Sequence, residues 1–175
     1  MIIAADGEVV LREITREDLP RMAELGNNEK VSINLTDAFP FPYTLEDAWK
    51  FFDLVQKQEP RTIFAIEYRG EYAGNISLMP GQDVYRKGAF LGYFIGEPFW
   101  NKGIVTRAVN LITEYGFTKL DLVRIHTGVF DYNKASQRVL EKCGFEREGT
   151  FKKSVIKKGM ICDEIRFAKI RSEKE

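Results

Sequence analysis

Apolar and polar positions along the chain follow two periods, and the switches between them mark the elements. The segment EVVLREI (8–14) alternates and predicts a first strand. TREDLPRMAEL (15–25) opens on Thr15, an N-cap type of residue, with acidic side chains behind it, which predicts a helix. The stretch up to Thr44 holds one short helix at best and closes in a Pro-rich aromatic loop at 39–43. TLEDAWKFFDLVQKQ (44–58) predicts a helix: Thr44 caps it, Asp47 closes a capping box, and Leu45, Ala48, Trp49, Phe52 and Val55 form one face.

Strand signals follow. RTIFAIEYRGEYAGNISLMPG (61–81) breaks at Arg69-Gly70, which predicts a hairpin, and GAFLGYFIGEP (88–98) predicts a further strand. The next helix has Ile104, Ala108, Leu111, Ile112 and Tyr115 on one face. LVRIHTGVF (122–130) is a strand, and NKASQRVLEKCGF is a short helix with Asn133 as cap and Gly144 as stop. A closing hairpin turns near Lys158-Gly159. The order predicts an α/β (α+β) fold, a mixed, mostly antiparallel twisted sheet of about seven strands flanked by helices, with a βαβ unit at its centre.

Composition narrows the classes. The 175 residues fit a single domain over 1–175, and 44% hydrophobic with 13% aromatic residues supports a packed core. Lys plus Arg equals Asp plus Glu at 26 each, which argues against general nucleic-acid binding. Cys143, Cys162 and His126 give no metal-ligand spacing, so no metal is expected. The N-terminal residues lack a basic start followed by an apolar stretch, and AFLGYFIG (89–96) is too short to span a bilayer. The expectation is a cytoplasmic protein with two free thiols and no membrane or nucleic-acid partner.

The chemistry concentrates at EPFWNKGIVTRAVNLITEYGF (97–117), where a strand passes through a glycine turn into a helix. The first turn of a helix leaves amide hydrogens unpaired and carries partial positive charge, a combination that suits an anion. Gly103 lets the backbone approach a ligand, Thr106 adds a hydroxyl, and Lys102 or Arg107 adds charge. Neither a Walker loop nor a dinucleotide fingerprint is present. Taken alone, this turn reads first as a helix that simply starts at a glycine.

A second stretch, DYNKASQRVLEKCGF (131–145), follows one βαβ unit later. Together the two resemble the GNAT superfamily of N-acetyltransferases, in the branch with ribosomal-protein N-terminal and spermidine acetyltransferases. Trp100 to Ala108 stands where that branch has W-G-x-G-x-A-T-E-A. Asn133, Ser136, Val139, Gly144 and Phe145 match N-x-x-S-x-x-[VL]-x-x-x-x-G-F. FPYTLEDA (41–48) and LGYFI (91–95) match as well. There are two departures: Asn101 replaces the first loop glycine and Val105 the small residue, and Phe90 stands where relatives often carry a glutamate.

The resemblance implies acetyl-CoA as co-substrate, lying along Phe94-Ile95-Gly96 with its diphosphate over Asn101, Lys102, Gly103, Ile104, Val105 and Thr106, and with Asn133 and Ser136 near the pantetheine arm. It implies direct transfer to a primary amine: a protein N-terminal α-amine, a polyamine or a small-molecule amine. The alternative is a catalytically inactive coenzyme A-binding or sensing module. With Phe90 in place, Glu67, Glu71 and Glu97 remain as candidate bases, and an α-amine near pKa 7.7–8.0 asks less of the protein than a lysine near about 10.4. Ser136 or Tyr132 is the candidate proton donor to the leaving thiolate. Phe39, Phe41 and Tyr43 either line an acceptor pocket or cover the core edge. Asn133 also reads as a helix cap, His126 as a packed or surface histidine, Cys143 as core, and 151–158 as a solvated strand face, with a docking patch for an acidic partner or the coenzyme phosphates as the alternative. An exposed strand near the C-terminus leaves room for a homodimer.

Overall fold

A computed structural model describes residues 1–172. Its elements are β1 (Ile2–Asp6), β2 (Val9–Arg12), α1 (Leu19–Gly26), α2 (Glu29–Ser32), α3 (Leu45–Gln56), β3 (Ile63–Tyr68), β4 (Glu71–Pro80), β5 (Gly88–Ile95), α4 (Ile104–Thr118), β6 (Arg124–Phe130), α5 (Lys134–Lys142), β7 (Glu146–Lys157) and β8 (Met160–Ile170). The strands form one eight-stranded sheet in the order β1-β2-β3-β4-β5-β6-β8-β7, in which β5 and β6 are parallel and every other pair is antiparallel. The expected sheet gains one strand. Residues 2–6 fold back on β2 through a turn at Gly7, where φ is +57°, and so add an edge that the first-strand expectation at 8–14 lacked.

Hairpin turns fall where the dipeptides place them. Arg69 and Gly70 have φ of 52° and 81°, and Lys158 and Gly159 have 48° and 77°. Two consecutive left-handed residues match the twist of the flanking strands. Thr44 and Asp47 form the expected capping box, with the Asp47 amide donating to Thr44 Oγ1 at 3.2 Å. The buried face of α3 is narrower than expected. In α3, Ala48, Phe52 and Val55 are buried, whereas Leu45 and Trp49 are 46% and 40% exposed. Helix α3 packs on α1 rather than into the sheet alone, and that narrower seam leaves Leu45 and Trp49 at its rim.

The sheet has helices on both faces, and strand alternation sorts them. Asn75 contacts Met22 of α1, whereas Leu78 contacts Gly116 of α4, so residues of opposite parity on β4 face opposite helices. Phe64, Ile66, Ile76, Leu78, Leu91, Ile112 and Phe167 are fully buried within the core. Lys157, expected on a solvated face, is only 4% exposed at its side chain and donates to Asp37 at 2.8 Å, which ties β7 to the 33–43 loop.

The parallel pair positions the site. β5 and β6 are in register only at Gly88–Phe90 against Arg124–His126. Beyond this, β5 stays with β4 as far as Ile95, while β6 stays with β8 as far as Phe130. Two strands committed to different neighbours must part. The last tie between them is a side chain, buried Thr127, whose Oγ1 donates to the Leu91 carbonyl at 2.8 Å. Thr127→Val keeps the shape and leaves that carbonyl without its donor, so urea denaturation should show a loss of about 1–3 kcal/mol.

Candidate active site

The parting of β5 and β6 opens a cleft of about 690 Å³. One wall is β5 from Phe90 to Ile95, and the other is β6 from Thr127 to Phe130. The turn at 100–106 and helix α5 close one end, and residues 31–39 reach the other.

The backbone of β5 sets the polarity of its wall. The Gly96 amide donates to the Ala73 carbonyl at 2.9 Å, and Ile95 stands opposite Gly74. In an antiparallel ladder, bonding direction alternates, so residues 90, 92 and 94 bond to β4 while 91, 93 and 95 face the other way. For most of a strand that direction would meet a neighbour; here it meets the cleft. Thr127 takes the Leu91 carbonyl, and the Trp100 Nε1 donates to the Ile95 carbonyl at 2.9 Å. The amides of Tyr93 and Ile95 are left turned toward the opening.

At the closed end, Asn101 and Gly103 both adopt left-handed backbone, with φ of 59° and 70°. This double reversal brings the chain from Trp100 into α4, whose first residue, Ile104, is anchored in the core. The first amide with a backbone acceptor is Arg107, to the Gly103 carbonyl at 3.3 Å. The amides of Asn101 through Thr106 have no acceptor among the described residues. Orphan donors at a helix start carry partial positive charge and bind anions. Arg138 and Lys142, four residues apart on α5, line the same cleft and add full charges.

Helix α5 also presents Asn133 and Ser136. The Asn133 Oδ1 accepts the Ser136 amide at 3.2 Å, so the cap expectation holds, and the same residue lines the cleft. The Ser136 Oγ lies 2.5 Å from the Tyr93 hydroxyl. Burial pushes the Tyr93 phenol up to about 12, with the Ser136 hydrogen bond pulling the other way, so the phenol stays protonated at neutral pH. Tyr93 was not among the expected site residues; nothing in the sequence pairs residues 43 positions apart.

The opposite face of the cleft carries a second group. Phe90 lies edge-to-face with His126, with centroids 5.6 Å apart, and under the guanidinium of Arg166 at 5.8 Å. Arg166 donates to His126 Nδ1 at 2.9 Å and to Glu164 Oε1 at 2.8 Å. A guanidinium only donates, so Nδ1 accepts and the imidazole is neutral with its proton on Nε2. Burial, then the charge of Arg166, lowers the His126 pKa in the same sense. Glu164 lines the cleft and was also not anticipated.

The structure brings some expected residues together and separates others. Phe94, Ile95, Asn101, Lys102, Gly103, Ile104, Val105, Thr106, Asn133 and Ser136 all line the cleft. Gly96 does not; it lies against Leu25, where a Cβ would come within 2.6 Å of that side chain. Glu67 is away from the cleft, paired with Arg12 at 2.5 Å. Glu71 sits exposed beside the β3–β4 turn. Glu97 is held by Lys30 and Asn28, which lower its pKa in that order. Tyr132 donates to the Ile33 carbonyl outside the cleft. Of the aromatic loop, Phe39 lines the cleft. Tyr43 stacks beneath it at 4.5 Å and is buried, and Phe41 is exposed under Lys158 at 5.2 Å.

A strand pair that parts beside a helix start with unpaired amides forms a slot suited to an anionic ligand. Residues 8–146 match the family model of the acetyltransferase (GNAT) domain, and the chain belongs to that family. A 67-residue stretch is 49% identical to the probable N-acetyltransferase YjcK of Bacillus subtilis (strain 168), covering 38% of this chain and 37% of that one. Over 148 residues, 81% of this chain and 74% of the relative, it is 32% identical to spermidine N(1)-acetyltransferase of Escherichia coli (strain K12). The fold matches RimL, a ribosomal L7/L12 alpha-N-protein acetyltransferase solved in complex with coenzyme A, at a TM-score of 0.86 and 22% identity over 97% of this chain and 98% of that one. The family resemblance and the mixed sheet expected from the sequence are both borne out.

Gly103→Ala tests the turn geometry directly. No atom lies within 4 Å of the added Cβ, so only left-handed backbone strain remains. Urea denaturation should show a loss of about 1–2 kcal/mol. An unchanged midpoint would mean that the turn relaxes out of the left-handed region.

Proposed function

We propose that this protein is an acetyl-CoA-dependent N-acetyltransferase that moves the acetyl group directly to a primary amine. One observation carries the reading: the free amides of Tyr93, Ile95 and residues 101–106 converge on a single slot between two strands. A diphosphate matches the donor run at the start of α4, with Arg138 and Lys142 beside it. The pantetheine arm, with its own amides, matches the unpaired edge of β5. The Ile95 amide is the donor for the thioester oxygen, where negative charge grows as nitrogen attacks. Family membership supports the same substrate.

The serine pair serves the leaving group. With Tyr93 donating to Ser136 Oγ, the serine hydrogen is free for the cleft, and the departing sulfur takes a proton there. A coenzyme thiol near the ordinary pKa of about 8.5 needs little acid help, so Ser136 orients the sulfur as much as it protonates it. The acceptor is a polyamine, a peptide N-terminus or a small amine; the E. coli relative's name points to the first and the RimL title to the second. Phe90 favours the alternative, a coenzyme-binding module without catalysis, but the intact Tyr93–Ser136 pair and the cleft-facing Glu164 favour transfer.

Two measurements decide between them. Calorimetry should give acetyl-CoA binding in the range of about 1 μM to 1 mM usual for enzyme substrates. Thiol release should then be seen with at least one of spermidine, a hexapeptide with a free N-terminus, and n-butylamine. Binding without release from any of them would select the inactive module, and no binding would remove both.

A further inference from the structure

Position 90 lacks a carboxylate, yet the cleft has one from another strand. Glu164 on β8 stands opposite Phe130, the last residue of β6. Its side chain does not stay over its own strand. It leans across β6 above Gly128, where a Cβ would lie 2.3 Å from the Glu164 Cδ and 2.5 Å from Oε2. Any side chain at 128 would occupy the place that the carboxylate now holds. Gly128 is the second residue of β6 after its pairing with β5 ends, so the carboxylate is delivered to the wall of the cleft just past the parting point.

The carboxylate is also held by one side only. Oε1 accepts from Arg166, and Arg166 is itself fixed by His126 and lies over Phe90 and Phe151. Oε2 has no hydrogen-bond partner among the described residues, and the Glu164 side chain keeps 20% of its surface exposed. A clamped carboxylate with one free oxygen is a receptor for a donor, and charge-assisted bonds of this kind are about twice as strong as neutral ones. The surfaces beside it are apolar: Phe90 and Met79 stand opposite each other across β4 and β5, and Met79 is 48% exposed.

We propose that Glu164 is the acceptor-binding carboxylate, which takes an alkyl primary amine as its ammonium at Oε2, with the first methylenes of the chain lying on Phe90 and Met79. The assignment rests on the transferase reading above and names the substrate class within it. In the reaction, one proton leaves the ammonium through Oε2 to water in the cleft. The nitrogen pair then forms the C–N bond, the C–S bond breaks with its electrons on sulfur, and the second nitrogen proton ends on the thiolate. The other charged groups on this face are Arg166 and, further along, the Arg124–Glu148 pair, while His126 is neutral. The carboxylate is thus the only negative charge among these groups with a free oxygen at the cleft. A strongly basic amine is therefore recognised by charge, which reverses the preference for a weak base drawn from Phe90 alone.

The test is steady-state kinetics of Glu164→Gln with spermidine or n-butylamine, whichever the wild-type protein acetylates faster; a wild-type protein that acetylates only the hexapeptide overturns the assignment. The KM for the amine should rise tenfold or more, while the KM for acetyl-CoA stays within twofold and the thermal midpoint is unchanged. Gly128→Ala, which displaces the carboxylate without removing it, should raise the same KM selectively and serves if the first variant folds poorly. A smaller rise in both variants, or one shared by acetyl-CoA, overturns the assignment and leaves the transfer reaction standing. A wild-type protein that releases no thiol with any of the three amines fails at the earlier step and takes the assignment with it.

Discussion

The site depends on hydrogen bonds that the sheet does not make. A strand between two neighbours spends its amides and carbonyls on both sides. Here β5 has a partner on both sides only as far as Phe90, and from Leu91 to Ile95 one side of its backbone is open. Buried backbone groups without partners are costly, so such an edge persists only where solvent or a ligand completes it. Thr127 and the Trp100 indole close two of the exposed carbonyls, and the amides of Tyr93 and Ile95 are left over. The same thing happens past the end of the strand, where the double left-handed turn at Asn101 and Gly103 starts α4 with its first amides unspent. Both sets of donors face one slot because the crossover from β5 to β6 must pass over the point where the strands divide.

The two faces of the slot divide the chemistry. On the α5 side stand hydroxyls and cations: Ser136 with Tyr93, then Arg138 and Lys142 toward the turn. These suit a long polyanionic ligand with a sulfur at its inner end. On the other side stand Phe90, Met79 and the Glu164 carboxylate, which suit a small cation with an apolar stem. The opening is thus polarised across its thickness, and the two substrates are separated by charge before either binds.

Much of this was legible in the sequence, for local reasons. The turns at Arg69-Gly70 and Lys158-Gly159, the Thr44 capping box and the Asn133 cap each depend on residues within a few positions of one another. The start of α4 at Gly103 was legible too, because few residues other than glycine sit comfortably at a φ of +70°. What escaped was set by distance along the chain. Glu67, Glu71 and Glu97 remained as candidates with Phe90 in place, yet salt bridges and a hairpin end hold them outside the cleft. Glu164 reaches the cleft only because β8 lies beside β6 in a particular register and Gly128 leaves a gap; neither fact has a local signature. Tyr93, not Tyr132, is the hydroxyl beside Ser136 for the same reason, since side-chain direction on β5 follows from its pairing with β4.

If the unpaired backbone amides at the strand edge and helix start hold the coenzyme, its binding must protect them from exchange. Amide hydrogen exchange resolved by NMR, with and without saturating acetyl-CoA, reads those groups one by one. Slowed exchange is expected at Tyr93, Ile95 and the amides from Asn101 to Thr106, with little change at the 82–86 turn, which precedes the other end of β5. Tight binding that leaves all of those amides exchanging as in the free protein would contradict it.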